Sequence, residues 1–129
     1  MFCGDALGAY FSNIEARLPS CILGSDPVLV QQSIDKLREL DLAILLFSHG
    51  GAIREADKII QRAANDERQC ADIALKALRA GEDLEKLAYS LAGVLAKDST
   101  LTKEDYLASS PYFAPVAVEG YRHYFKKRT

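Results

Sequence analysis

Asp5 and His49 are the residues of this chain whose type and placement best suit chemistry. Asp5 follows the short apolar run Met1-Phe2-Cys3 and a glycine. His49 follows Ala43-Ile44-Leu45-Leu46-Phe47 and Ser48, and precedes Gly50-Gly51. A carboxylate and an imidazole brought together are a donor pair for a metal ion. Taken singly, the aspartate reads as a turn residue capping backbone amides, and the histidine as a loop residue bonded to nearby carbonyls. Only their juxtaposition makes a site.

That juxtaposition depends on the elements between them. Each apolar run reads as a strand, the first unusually short. Asp26-Pro27 is a helix start, a capping carboxylate before proline at the first helical position. Val30, Ile34 and Leu37 keep helical spacing, which predicts a helix to about Leu40. Ala43 to Phe47 is apolar without alternation, the pattern of a strand buried on both faces. A strand, a crossover helix and a parallel strand put both polar residues at one carboxyl edge of a sheet, where α/β folds build sites. Residues 8–25 read as a loop with a turn near Ile14.

Other polar candidates carry less. Ser48 lacks the nucleophile-elbow pattern and a His-Asp partner arrangement. Cys3 reads as a packed thiol, and His123 as a surface residue of the last helix. Tyr10 and Phe11 suit either a substrate pocket or core packing. Gly4, Gly50 and Gly51 read as sharp turns at strand ends.

From Ile53 the pattern is helical. Ala56, Ile59, Ile60, Ala63, Cys70, Ile73, Ala74, Ala77 and Leu78 hold the helical period, and Gly81 supplies the stop. This long helix over 53–80 reads as a packing or oligomer surface. A second helix covers roughly 84–96. Thr102 with Asp105 predicts a capped short helix, and Pro115 opens the last one.

The run Phe2-Cys3-Gly4-Asp5-Ala6-Leu7-Gly8, a helix, and then Leu45-Leu46-Phe47-Ser48-His49-Gly50-Gly51 resembles the metallo-β-lactamase superfamily. The likeness is to the second half of such a metallo-hydrolase, carrying a helical extension. It implies that Asp5 corresponds to the aspartate bridging two metal ions and His49 to the final histidine ligand. The metals implied are zinc or iron, activating a hydroxide for attack on an ester, lactam, thioester or phosphoester. The family's His-x-His-x-Asp-His loop is missing: the chain has two histidines in all, and only four residues precede Asp5. Catalytic zinc needs about three protein ligands plus water, so this chain alone is expected to hold none tightly and to be inactive.

Composition sets the outer bounds. The chain has 129 residues, 49% of them hydrophobic and 26% charged, with a net charge of -2. That is one domain's worth of globular sequence, with no basic excess to suggest nucleic acid. Lys126-Lys127-Arg128 reads as a solvated helix end complementing its dipole. No apolar run reaches membrane-spanning length, and the first residues lack the signal-peptide pattern. Cys3, Cys21 and Cys70 form no CxxC and suit reduced thiols in the cytoplasm.

The expectation is an α+β fold, mostly helical, with a short strand–helix–strand start resembling half of an αββα sandwich. Residues 1–52 would be the carboxyl-terminal part of a metallo-β-lactamase-like core, and 53–129 a helical extension. An exposed half-sandwich predicts a homodimer or larger assembly, or a missing N-terminal half, and the chain reads as a fragment of the hydrolase. The other function class is a non-catalytic helical interaction or dimerisation module.

Overall fold

The computed structural model describes residues 1–4, 6–19, 25–48, 50–109 and 117–127. The fold is α+β and mostly helical, as expected. Five short strands and five helices follow in the order β1 (Phe2–Gly4), β2 (Ala9–Phe11), β3 (Ala16–Leu18), α1 (Pro27–Arg38), β4 (Leu45–Phe47), β5 (Gly51–Ile53), α2 (Ala56–Arg79), α3 (Leu84–Ala96), α4 (Lys103–Ser109) and α5 (Glu119–Lys126).

Local chemistry sets most of these bounds. The Asp26 carboxylate accepts from the amides of Val28 and Leu29 at 2.9 and 3.4 Å and caps α1. Asp83 does the same for α3 through the Lys86 amide at 2.8 Å, and the Thr102 hydroxyl accepts from the Asp105 amide at 3.1 Å. Such caps satisfy donors that the first helical turn leaves open, each contributing about 1 kcal/mol. The long helix begins at Ala56 rather than Ile53, because Gly51–Ile53 is taken up as β5. Pro115, the expected start of the last helix, lies outside the described residues.

Two sheets form. In the first, β1 and β4 are parallel neighbours and β5 runs antiparallel on the far side of β4. In the second, β2 and β3 form an antiparallel hairpin, pairing Ala9 with Leu18 and Phe11 with Ala16. This hairpin corrects the expectation of a loop over 8–25. Three-residue strands are too short to show an alternating pattern, so only the turn at Ile14 was legible.

Helix α2 is the spine. Its first half, through Ile59, Ile60 and Ala63, packs with Leu7, Tyr10, Ile34, Leu37, Leu45 and Phe47. Its second half, through Cys70, Ala74 and Ala77, packs with Leu87, Leu91 and Leu95 of α3, Tyr106 of α4 and Tyr121 of α5. The three α3 leucines recur every four residues and are fully buried, each contributing about 2 kcal/mol.

The first sheet differs from expectation on one point. Leu45 and Phe47 are buried, but Leu46 between them is 41% exposed. Leu46 stands opposite Phe2, itself 67% exposed, and opposite Ala52. Helices cover one face of the sheet, and the outer face presents Phe2, Leu46 and, beside them, Met1 and Ile44 to solvent. The apolar run signalled two apolar faces, and only one finds cover within the described chain.

Candidate functional site

The parallel pairing of β1 and β4 sets the geometry of the sheet edge. Phe2 faces Leu46 and Gly4 faces Phe47, with an irregularity between the pairs. Leu46 donates its amide to the Met1 carbonyl at 2.8 Å. Both strands therefore run out at the same carboxyl edge, one residue ahead of Asp5 and two ahead of His49. Asp5 and His49 themselves lie outside the described residues.

The chain around that edge is tightly held. Gly50 has φ 120°, and a Cβ there would run into the Tyr10 carbonyl, so the turn from β4 to β5 sits directly on β2. The Tyr10 ring stacks on Phe47 at 6.1 Å. The Arg62 guanidinium lies 6.0 Å from the same ring's centroid. Tyr10 is thus a core residue that also borders a polar cavity of about 400 Å³, with Glu15, Lys58, Arg62, Asn65 and Asp98 around it. Phe11 is exposed. Glu15 has φ 51°, unusual for a residue with a side chain, and its carbonyl accepts from Arg62 at 2.7 Å.

Beneath the edge is a buried charge cluster. Arg17 of β3 is completely buried. Its Nε donates to the Leu7 carbonyl at 3.0 Å, which fixes the segment following Asp5. Its NH2 donates to Glu67 Oε1 at 2.5 Å. Asp66 Oδ2 lies 3.6 Å from Arg17 and 3.8 Å from Arg62, too far for hydrogen bonds. The Tyr106 hydroxyl donates to the Arg17 carbonyl at 2.6 Å, and the Tyr121 hydroxyl makes a longer contact with Glu67 at 3.5 Å.

Burial and the neighbouring charges act on these groups together. Burial works against the Arg17 charge, but Glu67 and then Asp66 outweigh it and hold the guanidinium above its ordinary value. Burial pushes Asp66 up to about 6, because Arg17 and Arg62 return less than desolvation takes. Tyr106 is pushed upward by burial as well.

Arg17, Arg62, Asp66 and Glu67 were missed by sequence reasoning. A signal did exist: the apolar stripe of α2 runs Ala63, then Cys70, and the turn between them carries Asp66-Glu67 where small hydrophobes were due. Acids on the buried face of a helix require a buried cation.

The donors on hand do not by themselves fit a catalytic metal centre. Among the described residues no group of three or more His, Cys, Asp or Glu could hold a metal ion. Cys3 is buried and points its thiol at the Leu46 carbonyl at 3.3 Å, consistent with a packed thiol. His123 is exposed on α5, an element that packs on the second half of α2. Asp5 and His49 alone fall short of three ligands.

No family model matches the chain. No curated protein matches it either.

Proposed function

We propose that this chain is the carboxyl-terminal part of a metal-dependent hydrolase of the metallo-β-lactamase fold, in which Asp5 and His49 are two of the metal ligands. The observation that carries this is the parallel β1–β4 register, which ends both strands at one sheet edge just ahead of Asp5 and His49. The uncovered apolar face of Phe2, Leu46 and Ile44 adds support, since contiguous apolar surface on a sheet calls for a covering layer. The cover would be a segment supplying the remaining ligands, or a second copy of this chain. The resident metals would be zinc or iron, and the compartment the cytoplasm, in keeping with three cysteines that form no CxxC. No helix among the described residues is long and apolar enough to cross a membrane.

Alone and supplied with zinc, the chain is expected to turn over neither a chromogenic lactam nor an aryl ester above background. Hydrolysis that vanishes in Asp5→Ala would contradict this, because two ligands would then suffice.

The same exposed face also suits a non-catalytic helical module that dimerises through it. A zinc titration of the purified chain separates the two. Weak zinc binding by wild type that is lost in both Asp5→Ala and His49→Ala supports the hydrolase origin. A dimer that binds no zinc and is indifferent to both substitutions supports the module.

A further inference from the structure

We propose that the groove along the second half of α2, between α1 and α5, binds an elongated apolar molecule bearing a terminal carboxylate. This site lies further along α2 than the part that packs on the sheet, and Glu67 of the buried charge cluster lines its near end. A cavity of about 520 Å³ is floored by Ala71 and Leu75 and walled by Val28 of α1 and by Tyr124 and Phe125 of α5. A second hollow of about 270 Å³ shares Leu75, Arg79 and Phe125 with it and adds Leu78, Arg122 and Lys126. Arg79 lies twelve positions along the helix from Glu67, so the combined groove is roughly 18 Å long.

Two features select the ligand. The volume of the main cavity lies in the range that encloses small molecules; its apolar lining is Pro27, Val28, Ala71, Leu75, Tyr124 and Phe125, and Glu67 and Asp72 are acids that line it too, so a carboxylate is favoured only at the Arg79 end. The charge is also lopsided. Arg79 and Lys126 stand together at the α5 end, and neither makes an ion pair among the described residues. Arg122 beside them is engaged by Glu119 at 2.7 Å. A carboxylate at that end would meet two uncommitted cations, with its apolar body lying over Leu75 and against Phe125. A cationic amphiphile would meet repulsion there.

Decanoate is the probe, with decanol as the uncharged control of equal chain length. In titrations followed by amide and methyl NMR shifts, decanoate is expected to bind saturably and to perturb Leu75 and Tyr124. Decanol should bind about tenfold more weakly. The double variant Arg79→Gln/Lys126→Gln should bring decanoate down to the level of decanol, with the fold intact because both side chains lie on helix surfaces. Ala71→Trp, which fills the floor, should abolish both. The proposal is overturned if decanoate does not saturate at millimolar concentration, or if the double variant binds it as wild type does. In the latter case the two cations would serve only the helix ends. Saturation by an acidic amphipathic peptide without any by decanoate would also overturn it.

Discussion

Arg17→Met is expected to destabilise the protein by about 4 kcal/mol, the scale seen when one partner of a buried ion pair is removed. The side chain is completely buried and anchors three things at once: the Glu67 carboxylate, the Leu7 carbonyl and, more loosely, Asp66. Methionine fills the space but leaves the Glu67 charge in the interior without its cation. It also strands the Leu7 carbonyl. The loss should appear as a lower midpoint in urea unfolding with an unchanged slope. Neutralising the acids as well, in Arg17→Met/Asp66→Asn/Glu67→Gln, should recover part of the stability. A loss below about 1 kcal/mol for Arg17→Met would mean that the cluster is hydrated in solution.

Asp66→Asn carries the second large effect, and its sign depends on pH. The carboxyl is raised from 3.8 to about 6 in the folded protein, first by burial, with Arg17, Arg62, Asp98 and Glu67 as the charged groups facing it. A raised acid favours the folded state while it is protonated and loses that contribution as pH climbs. The wild type should therefore fall behind Asp66→Asn between about pH 4 and pH 6. A shift of some two units corresponds to about 3 kcal/mol. The variant is expected to match wild type near pH 4 and to exceed it by about 3 kcal/mol at pH 7. Thermal or urea unfolding across that range checks it. An advantage independent of pH would place the carboxylate in water, and a deficit at pH 7 would make the Arg17 and Arg62 contacts net stabilising.

What could be read from the sequence divides by the range of the interaction. Helices capped by a local side chain were legible: Asp26 before Pro27 and Thr102 with Asp105 act as their types suggest. The parallel pair of β1 and β4 followed from two apolar runs with a helix between them. The hairpin of β2 and β3 did not, because three-residue strands leave no periodic trace and their pairing is set by packing on α2 and α3. Single-face burial of β4 was equally hidden, since a sequence records that Leu46 is apolar but not whether anything covers it. At the candidate site, Asp5 and His49 stood out by motif. The supporting cluster of Arg17, Arg62, Asp66 and Glu67 did not, because its members come from β3 and α2, about fifty residues apart. Only the acidic break in the α2 stripe hinted at it.

On the proposed function, Asp5 and His49 would share one metal ion at the sheet edge. The chain has only two histidines, and the second, His123, lies exposed on α5, so it serves as an internal control. The most direct measurement is a zinc titration followed by the imidazole resonances of both. The account predicts that zinc shifts His49 while leaving His123 nearly unmoved, and that Asp5→Asn weakens the His49 response about tenfold, the loss expected when one of two ligands goes. Equal responses from the two histidines, or a His49 response indifferent to Asp5→Asn, would contradict it.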